Sequence, residues 1–180
     1  MNEIIGKGST SKIIKINNKT VIKELRSDST RNNLNKEYKI LKLLEKWEIA
    51  PKVLKLENNK LYREYISGTT LKEFLEREKD INKILFIFQK LIICVAILDL
   101  LKINHNQLQI GKNIIITFDN KIKIIDFEKA TINAATPKNV GQICGYYLKN
   151  YLSKENFEKI KELVKKWKKL VKEIYSFQRN

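Results

Sequence analysis

The sequence predicts an α+β fold in one compact unit, sheet-rich to about residue 66 and mainly helical from 67 to 180. Three observations carry this. The chain has 180 residues, within the ~100 to 200 typical of a single domain. Short β-patterned runs punctuated by turn clusters fill most of its first third, and apolar residues at helical spacing dominate the remaining two thirds. Six Gly and two Pro against 43% hydrophobic residues exclude collagen-like, Pro-rich and low-complexity disordered classes.

The first strands are Glu3 to Gly6, Ser11 to Ile16 beyond a glycine-containing loop, and Thr20 to Leu25 beyond an Asn17-Asn18 turn. Leu34, Tyr38, Leu41 and Leu44 recur at spacings of four, three and three, which predicts an amphipathic helix over Ser29 to Lys46, capped by Asp28 or Ser29. Val53 to Leu56 and Lys60 to Ile66 flank the turn cluster Glu57-Asn58-Asn59 and read as a hairpin. A helix follows near Thr70, then an almost wholly apolar one over 81 to 102. Because that run contains Gln89, Lys90 and Asp99, it reads as a buried helix and not as a membrane span. Asn113 to Thr117 and Lys121 to Ile125 form a third hairpin around Phe118-Asp119-Asn120. The chain ends in a basic helix, Ser153 to Tyr175, whose apolar stripe runs through Phe157, Ile160, Val164, Trp167, Val171 and Ile174.

Thirty-six Lys and Arg against 20 Asp and Glu give a net charge of +16, which favours polyanionic partners: nucleic acid, nucleotide phosphates or acidic protein segments. Arg occurs only at 26, 31, 63, 77 and 179, so the excess is mostly Lys, a pattern that AT-rich codon usage or a heat-adapted surface also produces. Cys94 and Cys144 stand far apart among apolar neighbours, predicting buried, reduced thiols and an intracellular, cytoplasmic protein. Ile4 and Ile5 lead directly into the glycine loop, so no signal peptide is expected.

Four features carry chemistry, and their order matters. Ile5-Gly6-Lys7-Gly8-Ser9-Thr10-Ser11 lies between two strands, where glycine lets backbone amides approach a polyphosphate, although a plain hairpin turn explains it equally well. Lys23 sits on the next strand in Val21-Ile22-Lys23, and Glu37 on the helix after it is placed to pair with that Lys if the helix packs on the sheet. Asp126 ends the apolar run Ile124-Ile125-Asp126-Phe127, a geometry suited to holding Mg²⁺ at a cleft.

In this order the residues resemble the protein-kinase-like superfamily, most closely the small archaeal predicted Ser/Thr kinases related to the RIO kinases and the KEOPS-complex kinase. The resemblance covers about residues 5 to 130 and implies a two-lobed fold binding ATP and Mg²⁺ in the cleft, with an N-lobe to residue 66 and a C-lobe after it. It implies that Gly6, Lys7, Gly8 and Ser9 roof the phosphates, that Lys23 binds them, and that Glu37 holds Lys23. Arg63-Glu64-Tyr65-Ile66-Ser67-Gly68 resembles the segment joining the lobes, with Glu64 and Ile66 at the adenine edge. Asp126 matches the metal-binding Asp of D-F-G, and Glu128 stands where the family has Gly.

His105-Asn106-Gln107-Leu108 resembles H-x-D-L, with Gln107 in place of the catalytic Asp; a neutral amide orients a nucleophile but takes no proton. Asn113 keeps the family's thirteen-residue distance to Asp126 and takes the second metal position, with Lys112 as the alternative. Three functions are expected: an atypical Ser/Thr kinase or ATPase, a pseudokinase that binds nucleotide and a protein partner, or an RNA-associated module. For the last, the run Lys165, Lys166, Trp167, Lys168, Lys169 is either an RNA-binding face or a solvated one.

Overall fold

The computed structural model describes residues 3–30 and 33–177. Five strands, β1 (Glu3–Lys7), β2 (Ser11–Lys15), β3 (Thr20–Leu25), β4 (Val53–Glu57) and β5 (Lys60–Glu64), form one sheet in the order β1-β2-β3-β5-β4. Every neighbouring pair is antiparallel. Helix α1 (Asn35–Leu44) interrupts it between β3 and β4 and packs on its inner face through Glu37, Ile40, Leu41 and Leu44. The β4–β5 turn bends where the sequence demands it, at Asn58 and Asn59, both with positive φ.

Beyond Glu64 the chain is mainly helical: α2 (Leu71–Arg77), α3 (Ile81–Leu100), α4 (Asn139–Tyr146) and α5 (Lys154–Phe177). A second, small antiparallel sheet of β6 (Thr69–Thr70), β7 (Ile114–Ile116) and β8 (Ile122–Ile124) lies among them. Thr70 caps α2 through a reciprocal capping box with Glu73, the arrangement that Thr-x-x-Glu encodes. Gly68 is required by close approach, because a Cβ there would lie 2.3 Å from the Ile116 carbonyl oxygen. The small sheet is tied to the stretch between α1 and β4, where Ile124 N–H donates to the Ile49 carbonyl at 2.7 Å.

Helix α3 is long and apolar enough to cross a membrane, but here Ile84, Ile87, Phe88, Leu91, Val95 and Leu98 are buried in a core that also takes in Leu41 and Leu61 of the first part. Cys94 and Cys144 are buried free thiols, as expected.

The first helix differs from the sequence reading. It begins at Asn35 and not at Ser29, with neither expected cap in use: Leu34 occupies the N-cap position without a side-chain cap bond, and the Asp28 carboxylate is taken by Arg26. Its last turn tightens into a 3-10 turn over Glu45–Trp47 that ends at left-handed Glu48, before Pro51 is reached.

Candidate functional site

The site grows from the register of β3. Lys23 stands opposite Ile13 on one side and Leu61 on the other, on the strand face that turns inward, and only 2% of it is exposed. An ammonium so placed needs carboxylates. Its Nζ donates to Glu37 Oε2 at 2.8 Å and to Asp126 Oδ1 at 2.7 Å, with Glu128 Oε2 at 4.0 Å. Glu37 reaches it because α1 presents the carboxylate from its buried face, so the Lys–Glu pair expected from sequence forms.

Asp126 arrives from the end of β8 in a left-handed backbone conformation, φ 62 and ψ 68, which costs a non-glycine residue about 1 kcal/mol or more. Burial pushes its pKa up, but the charge and hydrogen bond of Lys23, with His105 and Arg63 beyond, hold it below its ordinary 3.8. Its side chain remains 40% exposed, so the carboxylate keeps an open side toward solvent.

His105 fixes the approach of this strand end. Its ring is fully buried, and Nε2 lies 2.9 Å from the Ile125 carbonyl. A carbonyl only accepts, so Nε2 carries the proton and Nδ1 does not. The ring meets Phe127 edge-on at 4.9 Å. Burial pulls the imidazole pKa below its ordinary 6.5, outweighing the carbonyl and the nearby carboxylates. The role is structural: one histidine holds Ile125 and Phe127, the residues on either side of Asp126.

Gln107 is half-buried close in sequence to this histidine, and its side chain makes no hydrogen bond among the described residues. Asn106, at φ 68, donates to the Lys129 carbonyl and the Thr131 hydroxyl, tying this loop to the stretch after Asp126. The Asn113 carbonyl accepts from Ile125 N–H at 2.9 Å, which sets Asn113 across the hairpin from the residue before Asp126. Lys112 is exposed and exerts its charge on Glu73 at the start of α2. Of the two alternatives, Asn113 is therefore the one beside the Asp126 strand.

Above the cluster, Gly6 and Gly8 both have negative φ, and a Cβ at either would meet its neighbours at ordinary contact distance. The turn itself therefore does not require glycine at these two positions. The Gly8 amide is used inside the hairpin, donating to the Ser11 carbonyl at 2.7 Å, and Lys7 and Ser9 are exposed. Below the loop lies a slot of about 230 Å³, lined by Ile5, Gly6, Ile13, Val21, Tyr65, Ile66, Ile115 and Ile125, with Arg63 among them. Ile66 lines this slot, but Glu64 does not. Its carboxylate turns outward to accept from Lys52 N–H at 3.1 Å, because successive side chains of β5 alternate faces.

Sequence reasoning missed Thr10, Arg63, Asp99 and Asn139. Thr10 donates from its hydroxyl to Glu128 Oε2 at 2.8 Å, latching the loop end to the residue that stands after Phe127. Asn139 Oδ1 accepts from His105 N–H, while its Nδ2 donates to Asp99 Oδ1 and the Ile103 carbonyl. Asp99, 1% exposed, also accepts from Trp167 Nε1 at 3.0 Å, and its carbonyl accepts from the Tyr175 hydroxyl. Helix α5 is thus pinned to the His105 loop by a buried polar chain. Arg63 was legible, since the alternation that buries Leu61 also turns Arg63 inward.

The α5 lysines are unevenly placed. Lys165, Lys166 and Lys169 are exposed, Lys165 pairing with Glu162 at 2.7 Å. Lys168 is half-buried, its stem lying over Gly141 of α4.

Among the described residues no group of three or more His, Cys, Asp or Glu forms a ready metal cage. Mg²⁺ commonly takes one or two carboxylates and completes its shell with water and phosphate, and the open side of Asp126 with Asn113 nearby fits that smaller demand. No family model matches the chain. It is similar to an uncharacterized protein of Methanocaldococcus jannaschii, 29% identical over 117 residues that span 59% of this chain and 99% of the relative.

Proposed function

We propose that this chain is a two-lobed protein-kinase-like domain that binds a nucleoside triphosphate, ATP by the resemblance, together with Mg²⁺ in the cleft between sheet and helices. The observation that carries the reading is the convergence of two carboxylates from separate segments on one buried ammonium: Glu37 at 2.8 Å and Asp126 at 2.7 Å from Lys23 Nζ. A simple core ion pair needs one carboxylate. A second, half-open carboxylate beside an apolar slot suits a ligand whose phosphates come to Lys23 and whose metal comes to Asp126.

In this reading Ile13 and Val21 pack on one face of the base and Ile115 and Ile125 on the other. Glu37 keeps the Lys23 ammonium fixed while phosphate oxygens replace Asp126 as its second partner. Asp126 is then freed and would hold the metal, whose charge would offset that of the phosphates during phosphoryl transfer. Gln107 holds the acceptor hydroxyl or a water by hydrogen bonding without taking its proton. The reaction is transfer of the γ-phosphoryl group to a protein serine or threonine, or ATP hydrolysis, at a rate lowered by the missing base.

Gln107 also supports a second reading, a pseudokinase or RNA-associated scaffold that binds nucleotide without efficient transfer. One experiment separates the two. Pure protein is incubated with γ-labelled ATP and Mg²⁺, with and without RNA and a generic basic protein; phosphoprotein and free phosphate are followed, and nucleotide binding is read in parallel by titration calorimetry. Slow, Mg²⁺-dependent product that disappears in Lys23→Ala and Asp126→Ala supports the enzyme. Nucleotide binding without product supports the scaffold, and neither binding nor product defeats both.

A further inference from the structure

Among the residues that line the apolar slot, Arg63 is the one with a charged side chain. It stands opposite Val21 in β3 and Val53 in β4, on the same face of β5 as Leu61, and is 8% exposed. A guanidinium carries five N–H donors and no acceptor. Among the described residues only one hydrogen bond engages it, a long one of 3.3 Å from Nη1 to the Glu64 carbonyl. Glu37, Asp126 and Glu64 act on it through space, and it forms no ion pair among the described residues. A cation nine-tenths buried, with most of its donors outside any hydrogen bond among the described residues, borders a space walled mainly by isoleucine and valine, with Gly6 and Tyr65.

Those donors restrict what the slot accepts. A base edge facing Arg63 must offer acceptors, because an amino group there sets donor against donor. Adenine presents an amino group at C6 beside its N7 acceptor, whereas guanine and hypoxanthine present a carbonyl beside N7, the pair that an Arg fork matches with two hydrogen bonds. The Glu64 carbonyl, a backbone acceptor at this edge, already receives Arg63 Nη1. We infer that Arg63 sets base preference in the cleft, and that the slot takes a 6-oxopurine nucleotide in preference to an adenine nucleotide. The inference rests on the nucleotide-binding reading above and deepens it.

The test is calorimetric titration of the full chain with the Mg²⁺ complexes of ITP, GTP and ATP. ITP is the decisive probe, since it differs from ATP only in carrying the 6-oxo form of the base. One bidentate Arg contact discriminates by ~5- to 150-fold, so ITP and GTP are expected to bind at least about 10-fold more tightly than ATP. Arg63→Met is expected to bring the ITP-to-ATP ratio near one while keeping the circular dichroism of the parent. Equal or tighter binding of ATP by the parent chain overturns the inference and leaves the nucleotide-binding reading standing. An unchanged preference in Arg63→Met overturns it as well. Absence of binding by all three nucleotides overturns the reading on which it rests. Because the ITP-to-ATP ratio is measured on the unaltered chain, it decides even where Arg63→Met fails to fold.

Discussion

Replacing Lys23 with Met keeps the length and apolar stem of the side chain and removes only its charge. Lys23 is 3% exposed at the side chain and Glu37 1%, with 2.8 Å between their charged atoms, so the pair belongs to the buried class. Removing one partner of such a pair costs about 3 to 5 kcal/mol. Asp126, at 40% side-chain exposure, turns to water and adds little, so the loss comes from Glu37. For a chain of this size each kcal/mol lowers Tm by roughly 2 to 4 °C, which gives a fall of about 6 to 20 °C. The double change Lys23→Met with Glu37→Met removes both charges together and is expected to recover most of the loss, since buried pairs and apolar replacements of similar volume are nearly equivalent in stability. Urea denaturation of the parent, both single variants and the double variant measures the coupling, with an unchanged m-value as the check that only stability has moved. A Lys23→Met cost below about 1 kcal/mol, or two single changes that simply add, refutes the buried cluster as the centre of the cleft.

Three further outcomes are expected. Stability should decline as pH falls below 6.5, because burial holds the His105 pKa below that value: the neutral ring's contribution is complete above 6.5 and is withdrawn as protons bind the unfolded chain first, at up to about 1.4 kcal/mol per pH unit. His105 is the chain's single histidine, so His105→Gln should flatten denaturation midpoints between about pH 5 and 6.5. Gln107→Asp should raise phosphoryl transfer or hydrolysis by ~10²- to 10⁴-fold, the usual worth of general-base assistance, as read by release of labelled phosphate; no gain points to a different base or to a displaced loop. Replacing Lys165, Lys166, Lys168 and Lys169 with Gln should weaken RNA binding and make its salt dependence shallower by about 0.7 to 0.9 for each RNA phosphate that is no longer neutralised. Lys168, folded over α4, should contribute least, and equal binding by parent and variant in filter assays across a salt series makes this a solvated face.

Every strand but β6, and the start of α2 near Thr70, were legible because their signals are local: alternating side chains, turn clusters such as Asn58-Asn59, and apolar residues at helical spacing. The start of α1 was not. Asp28 and Ser29 look like caps, but Arg26, two residues before Asp28, offers the carboxylate a bidentate partner, and no local pattern decides between those uses. Lys23, Glu37 and Asp126 were recognised by their order along the chain and are brought together by β3, α1 and β8. Glu64 was placed at the slot by analogy of position, whereas strand alternation gives that place to Arg63. The Asp99–Asn139–His105 chain spans 40 residues and depends on how α4 and α5 pack, so spacing carries no trace of it. Asp99 did carry one signal, a lone carboxylate in an apolar helix, which must find partners wherever it is buried.

The central claim is that the Lys23–Asp126 cleft binds a Mg²⁺–nucleoside triphosphate, and a thermal shift tests it most directly. A ligand at 100 times its dissociation constant adds roughly 2.7 kcal/mol to the folded state, a rise of about 5 to 11 °C for a chain of this length. The measurement takes the parent chain, Lys23→Ala and Asp126→Ala through the same melt with millimolar ATP, GTP or ITP, each with Mg²⁺ and with EDTA. The account predicts that at least one nucleotide raises the parent's Tm, that the rise depends on Mg²⁺, and that it shrinks in both variants relative to their own ligand-free melts. No rise for any nucleotide in the parent, or a rise that both folded variants keep in full, contradicts it.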